Sequence, residues 1–499
     1  MVWRDRKVNG NGTERQYRVI RNKRGDKLIM NSDMPVKAQP FKHQIQAFKF
    51  VMNKFKNSSG VALLIEMGCG KSLISVAVAG KLFNEEKIKN ILIVCPLSIC
   101  GVWQEEFLKF SDFDYKLKIL KGTSEKKAEV LSSLIGRVLQ VAVINYESVW
   151  RLESQVKIWN PDMIICDESH KIKNHNILAS KFLHKLGEKT KYKLILTGTA
   201  ITNKAIDIFS QYKFLDPNIF GKNFYTFRNH YFDMTGYGQH VPVLKESMKD
   251  EIKKKIHSIA FVAKKSDCLD LPQVTEIVRK VDLEPCALKI YKALVKESFV
   301  QLKKMEISTT NILTKILRLS QLTGGFLSGD NEKRICKIST AKLKALEDII
   351  DGVTESGKKL VIMARFLPEV DAIKKLLVKK NLDFSILTGN VKNREEQIKK
   401  FQNDKNTLVF LGQIATAGLG ITLVASSTMV FYSLDYSMSN FEQAKARIHR
   451  TGQLEPCTYI YLIASNTIDE KILKALKNKL DLAKSLTDEY KSGRNPYEI

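Results

Sequence analysis

The sequence predicts an α/β fold with two parallel-sheet lobes, and three features of its 499 residues support this prediction. Short apolar runs of strand length alternate with longer amphipathic stretches from residue 40 onward. This alternation is typical of a parallel sheet covered on both faces. A lysine-rich stretch of helical spacing follows, from about residue 245 to 345. Apolar runs of strand length then return, which indicates a second lobe of the same kind.

The predicted strands fall into two groups. In the first lobe they are Val61–Ile65, Ile91–Cys95, Val141–Ile144, Met163–Cys166 and Leu194–Leu196. In the second lobe they are Leu360–Met363, Phe384–Leu387, Thr407–Leu411 and Met429–Tyr432. The segment from Thr467 onward carries an apolar stripe at helical spacing, which predicts a C-terminal helix that packs back as a brace.

The length sets the number of domains. At roughly 150 residues per domain, the chain has room for about two to four. We divide it into a basic N-terminal extension (1–39), a first lobe with a helical insertion near its end (40–265), an interlobe crossing with a helical region (266–345), and a second lobe with the C-terminal helix (346–499). The extension holds ten cations and four anions, and it is either a small hairpin module or a loose arm.

The charge balance points to a polyanionic partner. The chain has 81 Lys and Arg against 53 Asp and Glu, a net charge of +28. Such an excess favours nucleic acid first and an anionic membrane surface second, whereas a contribution to solubility alone is the alternative explanation.

No secretory or membrane signal is evident in the sequence. Its start, MVWRDRKVNG, lacks the apolar core of a signal peptide, and no segment reaches the roughly 18 uninterrupted apolar residues of a spanning helix. Its eight cysteines are scattered without a CxxC pair, which disfavours both zinc and a disulfide framework. We therefore expect a cytoplasmic protein with reduced thiols and no membrane contact.

A glycine-rich loop follows the first predicted strand. In Glu-Met-Gly-Cys-Gly-Lys-Ser, Gly68 and Gly70 let backbone N–H groups approach phosphate oxygens at the start of a helix. Lys71 can reach the β- and γ-phosphates, and the Ser72 hydroxyl can ligate Mg²⁺. Ile65 stands where the strict phosphate-loop pattern has its first glycine. A glycine turn that only caps a helix is therefore the alternative.

Two adjacent acids follow the predicted strand Met163–Cys166. In a parallel sheet, ligand chemistry lies just beyond the carboxyl ends of the strands. Asp167 would hold Mg²⁺, and Glu168 would orient and deprotonate an attacking water. A solvated loop or a helix start is the alternative for such a pair, but a phosphate loop earlier in the same lobe makes the catalytic interpretation more specific.

An ordered series of motifs extends this pattern. In the first lobe they are Phe41–Gln44, Met67–Ser72, Val94–Ser98 with Trp103 and Glu106–Phe107, Asn145–Glu147, Asp167–His170 with Lys171–Asn174, Leu196–Thr199 with Asn203, and Leu215–Pro217 with Phe220–Gly221. In the second lobe they are Leu271–Pro272, Leu360–Met363, Ala417–Leu423, and Gln443–Arg450 with Thr451–Gln453. Over about residues 40 to 480, this series resembles the motifs of superfamily 2 helicase-like ATPases of the Swi/Snf type.

The resemblance implies two RecA-like lobes that bind ATP and Mg²⁺ in the cleft between them. The implied ATP-binding residues are Gln44, Gly68, Cys69, Gly70, Lys71, Ser72 and Gln443. The implied catalytic residues are Lys71, Asp167, Glu168, Arg447 and Arg450, and the implied metal ligands are Ser72 and Asp167. When the lobes close, the guanidinium groups of these arginines would reach the phosphoryl group and stabilise its negative charge during transfer. A basic helix face is the alternative for the two arginines.

Several positions depart from the family pattern. They are Ile65 in place of an acid, Cys69 in place of Leu, Ala200 in place of Pro, Ser437–Ser439 in place of Trp-Asn-Pro, and Ala263–Lys265 in place of an Arg-rich stretch. None of these changes removes a predicted catalytic group.

The resemblance also implies contacts with the phosphates of duplex DNA, which are independent of base sequence. The candidate contact residues are Ser98, Asn145, Thr199, Thr416 and Thr422. Lysines around 249–265 and the N-terminal extension could widen this path, although a solvated surface is the alternative for each of them.

We therefore expect a DNA-dependent ATPase that moves on duplex DNA and remodels DNA or protein–DNA complexes in replication, recombination or repair. One alternative is a helicase that separates strands of DNA or RNA. Another is a nucleotide-gated DNA-binding clamp without productive translocation. The length leaves little room outside the two lobes, which predicts a compact stand-alone motor of bacterial or viral type. Such a motor would be associated with the nucleoid, or lie in the host cytoplasm if it is viral.

Overall fold

A computed structural model describes most of the chain. The described residues are 4–8, 14–18, 20–21, 27–28, 33–198, 205–235, 241–268, 271–304, 309–328, 335–391, 393–417 and 420–478. Within these ranges, no helix combines the length and the apolar character needed to cross a membrane.

The described residues of the N-terminal extension form two short antiparallel strand pairs. Strands β1 (Arg4–Val8) and β2 (Glu14–Arg18) pair with each other. Strands β3 (Ile20–Arg21) and β4 (Lys27–Leu28) form a second pair. Neither pair joins the sheets that follow.

The first lobe is built on a parallel sheet. Its strands and those of its insertion are β5 (Gly60–Ile65), β6 (Asn90–Cys95), β7 (Tyr115–Ile119), β8 (Leu139–Asn145), β9 (Met163–Asp167), β10 (Tyr192–Thr197), β11 (Phe232–Thr235), β12 (Val241–Leu244) and β13 (Ala260–Ala263). Among the described residues, seven of them pair in the order β13-β5-β10-β9-β6-β8-β7, and every pair is parallel. Strands β11 and β12 form a separate antiparallel hairpin.

Helices cover both faces of this sheet. They are α1 (Lys42–Lys54), α2 (Lys71–Asn84), α3 (Cys100–Phe110), α4 (Ser124–Ser132), α5 (Tyr146–Val149), α6 (Glu153–Trp159), α7 (Leu178–Lys189), α8 (Ile208–Leu215), α9 (Pro217–Phe220), α10 (Phe224–Tyr231), α11 (Lys249–Ser258) and α12 (Lys265–Cys268). Because neighbouring side chains of a strand point to opposite faces, Leu63 packs with α1, α2 and α3, whereas Leu64 packs with α7, α8 and α11. The mostly apolar composition of the central strands follows from this double cover.

The second lobe repeats the plan with its own parallel sheet. Its strands are β14 (Val274–Val281), β15 (Phe326–Ser328), β16 (Ile335–Lys337), β17 (Leu360–Ala364), β18 (Asp383–Leu387), β19 (Thr407–Gln413), β20 (Thr428–Phe431) and β21 (Cys457–Ala464). Six of them, within the described ranges, pair in parallel in the order β14-β21-β20-β17-β19-β18. Strands β15 and β16 form an antiparallel pair of their own.

The helices of the second lobe include the predicted brace. They are α13 (Pro285–Lys304), α14 (Thr309–Thr323), α15 (Ala341–Thr354), α16 (Leu367–Lys379), α17 (Arg394–Asn403), α18 (Ile414–Ala417), α19 (Met438–Lys445) and α20 (Ile468–Lys477). Helix α20 buries Ile472 and Leu476 in the same core as Ile316 of α14. Its Asp469 also forms a buried ion pair with Lys342 of α15, with 2.5 Å between the charged atoms. The C-terminal helix therefore packs back as expected.

The predicted strands are all present, but the sheets contain strands that the sequence analysis missed. These are β7, β13, β14 and β21. Strand β14 mixes apolar residues with Glu276, Arg279 and Lys280, and it is exposed along most of its length because it lies at the edge of the sheet. It belongs to the second sheet, whereas the sequence predicts a crossing with helices for residues 266–345. The second lobe therefore begins near Val274 in the structure, well before residue 346.

Candidate active site

The two sheets meet at a cleft of about 570 Å³. The first lobe contributes Gln44, Gly68, Gly70, Lys71, Ser72, Asp167 and Glu168 to its lining, and the second lobe contributes Gln443, Arg447 and Arg450. These are all of the predicted ATP-site residues except Cys69. They come together because the carboxyl ends of the parallel strands β5 and β9, which are separated by β10, lie at the same edge of the sheet and face α19 and the segment that follows it.

The loop between β5 and α2 requires glycine at two positions. Gly68 has φ +86° and Gly70 has φ +84°, a region that disfavours residues with a side chain. A Cβ added to Gly70 would also lie 2.1 Å from Nε2 of Gln44. Lys71 begins α2, and its Nζ donates to the Ile65 carbonyl at 2.8 Å. The loop therefore has the close backbone approach and the helix N-terminus that an anion site needs.

The first turn of α1 holds this loop from one side. Gln44 accepts a hydrogen bond from the Phe41 N–H at 2.8 Å and donates to the Cys69 carbonyl at 3.2 Å. His43 Nε2 lies 2.8 Å from the same carbonyl oxygen. The Cys69 side chain itself is buried in the core, and burial raises the pKa of its thiol to about 11. Cys69 thus contributes its backbone to the loop, and its side chain does not line the cleft.

Asp167 ends β9 and is held by three hydrogen bonds. Its Oδ2 accepts from Trp103 Nε1 at 3.1 Å, and its Oδ1 accepts from the Glu168 N–H at 2.9 Å. Its backbone carbonyl accepts from the Tyr146 hydroxyl at 2.8 Å. Burial and the neighbouring charge of Glu168 raise the pKa of Asp167 to about 7. A cation at this carboxylate would favour the ionised form.

Glu168 adopts a strained backbone conformation. Its φ of +51° and ψ of +53° lie in the left-handed region, which costs a residue with a side chain about 1–3 kcal/mol. Its Oε2 lies 3.3 Å from Nδ1 of His170. Burial acts to raise the pKa of Glu168, but His170 and the charges of Lys71 and Arg447 outweigh it and lower the pKa. Of the two acids, Glu168 is therefore the one whose ionised form its surroundings favour.

The residues present fit a magnesium ion. Mg²⁺ typically uses one or two protein oxygens together with phosphates and water. The Ser72 hydroxyl and the Asp167 carboxylate both line the cleft and are oxygen donors of this kind. In the described part of the chain, Glu168 Oε2 is buried without a hydrogen-bond partner, so this oxygen is free to accept a hydrogen bond from a bound water. No cluster of three or more His, Cys, Asp or Glu side chains that could bind a metal by itself occurs in these residues.

Two arginines of the second lobe lie over the phosphate loop. Arg447 Nη1 and Arg450 Nη1 donate to the Ile421 carbonyl at 3.0 and 3.2 Å. Burial lowers the pKa of Arg447 to about 9, and burial also lowers the pKa of Arg450. A Cβ added to Gly68 would lie 3.3 Å from the Arg450 Cβ. The basic-face alternative therefore does not describe these residues, because both side chains are directed into the cleft.

The cleft also contains groups to which the sequence analysis gave no role. Trp103 and Glu106 of α3 line it, and burial raises the pKa of Glu106. Lys265 of α12 joins the lobes, since its N–H donates to Glu66 at 2.9 Å and its Nζ donates to the His449 carbonyl. The spacing of Trp103 and Glu106 on one helix face is evident in the sequence, but their direction into the cleft, and the hydrogen bond from Trp103 to Asp167, depend on how α3 packs.

The candidate DNA contacts lie in different surroundings. Ser98 lies in the turn Leu97–Ile99 after β6. Asn145 ends β8, is 8% exposed, and donates to Glu147 at 2.8 Å. Thr416 lies in α18, and Thr422 lines the cleft. Thr199 lies outside the described residues, as do Asn203 and Ala200.

Two protein-family models match the chain. The SNF2-related domain matches residues 43–324, and the helicase conserved C-terminal domain matches residues 341–452. The first match covers more than half of the chain, and the two matches together contain every residue of the cleft named above.

Curated relatives are similar over most of this chain. An uncharacterized ATP-dependent helicase of Mycoplasma genitalium is 27% identical over 449 residues, which is 89% of this chain and 42% of that protein. A DNA repair and recombination protein RAD54-like of Drosophila ananassae is 26% identical, over 91% of this chain and 63% of that protein. A chromodomain-helicase-DNA-binding protein 1-like of Danio rerio is 24% identical, over 90% of this chain and 44% of that protein. The chain thus spans roughly half the length of these relatives.

A solved structure is similar over nearly the whole chain. The SWI2/SNF2 ATPase core of Sulfolobus solfataricus in complex with dsDNA is 24% identical, with 94% of this chain and 96% of that chain covered and a TM-score of 0.45.

Proposed function

The chain belongs to the SNF2-related family of helicase-like proteins, and from this premise we propose that it is a DNA-dependent ATPase that moves along duplex DNA. Its work would be to remodel DNA or protein–DNA complexes. The observation that carries this proposal is that Lys71, the Asp167–Glu168 pair and two arginines of the other lobe line one cleft. Phosphoryl transfer depends mainly on positioning and charge stabilisation, and this set of side chains offers both.

Each side chain has a distinct role in the proposed reaction. Lys71 and the N–H groups at the start of α2 bind the phosphates. Glu168 orients a water molecule and accepts its proton, which suits a carboxylate that stays ionised. Ser72 and Asp167 would hold Mg²⁺, which would supply positive charge to neutralise the phosphates of the nucleotide.

The arginines make hydrolysis depend on both lobes. Arg447 and Arg450 stabilise negative charge that develops on the γ-phosphoryl group, because a guanidinium group offers several donors in one plane. They belong to the second lobe, whereas the phosphate loop belongs to the first. A change in the distance between the lobes therefore changes the rate, and this is how DNA bound across both lobes is coupled to hydrolysis.

Duplex DNA is the proposed track. The net charge of +28 supports a polyanionic partner, and phosphate contacts supply affinity without base specificity. Relatives named for DNA repair and recombination, and one named as a DNA-binding helicase, support a role on DNA. Ser98, Asn145, Thr199, Thr416 and Thr422 remain the candidate phosphate contacts. A cytoplasmic or nucleoid location follows from this role as part of the same proposal.

The test is an ATPase assay with the full chain across duplex DNA, forked DNA, single-stranded DNA and RNA. We expect duplex DNA to stimulate hydrolysis most, and Lys71→Ala to abolish it by removal of the phosphate-binding cation. Displacement of a third strand from a triplex reports translocation, and a labelled fork reports unwinding. Hydrolysis that duplex DNA does not stimulate would refute the proposal. Efficient unwinding would favour the strand-separating helicase, and DNA binding without hydrolysis would favour the clamp.

A further inference from the structure

Two buried side chains hold Asp167 from the elements that carry the candidate DNA contacts. Trp103, in the first turns of α3, is 2% exposed and donates its indole N–H to Asp167 Oδ2 at 3.1 Å. Tyr146, the first residue of α5, is 3% exposed and donates its hydroxyl to the Asp167 carbonyl at 2.8 Å. One bond therefore fixes the carboxylate, and the other fixes the backbone that carries it.

Both donors are close in sequence to a candidate DNA contact. Ser98 lies in the turn Leu97–Ile99, and α3 begins at the next residue, Cys100. Asn145 is the last residue of β8 and directly precedes Tyr146. No flexible segment separates contact and donor in either case, so a displacement of the turn or the strand end also displaces the donor.

The packing around these donors favours transmission of small movements. Trp103 lies in the closely packed core beneath the sheet, beside Phe107 at a ring distance of 6.3 Å. Tyr146 lies in the core on the opposite face. Asp167 is thus held between two elements that approach it from opposite faces of one sheet. Closely packed side chains of this kind move together rather than independently.

We infer that Trp103 and Tyr146 are positioning residues that link DNA contact at the ends of β6 and β8 to the orientation of the Asp167 carboxylate. This inference rests on the proposed function, and it adds a route from DNA to the catalytic acids that does not pass through lobe closure. Neither side chain takes part in the chemical step. Their hydrogen bonds set where the carboxylate lies when DNA is bound.

The test compares ATPase rates with and without saturating duplex DNA for Trp103→Phe and Tyr146→Phe. Each substitution removes one hydrogen-bond donor and keeps an aromatic ring in the core. The chain offers matched controls in the same lobe. Trp159 Nε1 donates to the Leu134 carbonyl at 3.1 Å, and the Tyr212 hydroxyl donates to the Ile256 carbonyl at 2.7 Å, both outside the cleft. Trp159→Phe and Tyr212→Phe therefore remove the same kind of bond without a contact to Asp167.

We expect the ratio of DNA-stimulated to DNA-free rates to fall about fivefold in the two test variants, which is the size expected for loss of one hydrogen bond. The DNA concentration for half-maximal stimulation should stay within about twofold of wild type, and the controls should keep the wild-type ratio. Equal losses in both rates would show a merely structural role and overturn the inference. An unchanged ratio, or recovery at higher DNA concentration, would also overturn it. Lack of stimulation in the wild-type protein would instead refute the proposed function.

Discussion

Gly68 and Arg450 face each other across the cleft, so closely that a Cβ added to Gly68 would lie 3.3 Å from the Arg450 Cβ. Gly68 belongs to the phosphate loop of the first lobe, and Arg450 follows α19 in the second. Residue 68 therefore lacks a side chain for two reasons: the backbone conformation of the loop and the close approach of Arg450 from the other lobe. This relationship leads to the first prediction.

Gly68→Ala should impair hydrolysis more than the backbone conformation alone explains. Alanine at φ +86° costs about 1 kcal/mol, and its methyl group also presses on Arg450. We expect kcat to fall about tenfold in steady-state assays. Gly221→Ala is the matched control, because its φ of +83° is similar but nothing lies within 4 Å of an added Cβ. Equal losses in the two variants would contradict a role for the contact with Arg450.

Glu168→Gln should bind ATP but hydrolyse it poorly. The amide keeps the shape of the side chain and loses the ability to accept a proton, so kcat should fall about 10²- to 10⁴-fold. A fluorescent ATP analogue measures binding, and single-turnover phosphate release measures the chemical step. Wild-type turnover in this variant would mean that another group is the base.

Arg450→Ala should lower kcat more than it weakens ATP binding. An arginine that stabilises charge in the transition state contributes on the order of 10³-fold or more, whereas a ground-state contact changes mainly KM. Arg279→Ala, which removes an exposed ion pair of the same lobe with Asp348, is the control and should be close to wild type. A higher KM with unchanged kcat would show that Arg450 binds the nucleotide without assisting the reaction.

Lys342→Met should destabilise the second lobe. Lys342 and Asp469 are 1% and 6% exposed at their side chains, so removal of one partner leaves an uncompensated buried charge, at a cost of about 3–5 kcal/mol. Thermal unfolding should show a midpoint several degrees lower. The control is Lys380→Met, which removes a more exposed pair with Asp351. An equally small change in both variants would show that the buried pair does not stabilise the brace helix.

Binding to duplex DNA should weaken steeply with salt. If phosphate contacts supply most of the affinity, the logarithm of the binding constant falls linearly with the logarithm of salt concentration, with a slope of about −0.9 per neutralised phosphate. Fluorescence anisotropy between low and physiological salt measures this slope. An affinity that is insensitive to salt would be inconsistent with a track bound through phosphates.

Local sequence features determined much of this fold and of its candidate site. Apolar runs identified the strands of both sheets that are buried on both faces, because such strands have apolar residues at most positions. The phosphate loop was recognisable because only glycine tolerates the backbone at Gly68 and Gly70. The pair Asp167–Glu168 was recognisable because it directly follows a buried strand.

Tertiary structure decided the features that depend on distant parts of the chain. The apolar residues of β14 do not alternate as they do in a half-buried strand, and the segment becomes a strand by pairing with β21, which lies far away in sequence. Trp103 donates to Asp167 only because α3 packs beneath the sheet, and Arg450 reaches Gly68 only because the two lobes meet. The sequence by itself thus determined which chemical groups are present and on which elements they lie. Their distances and directions depend on packing between elements, which no local pattern encodes.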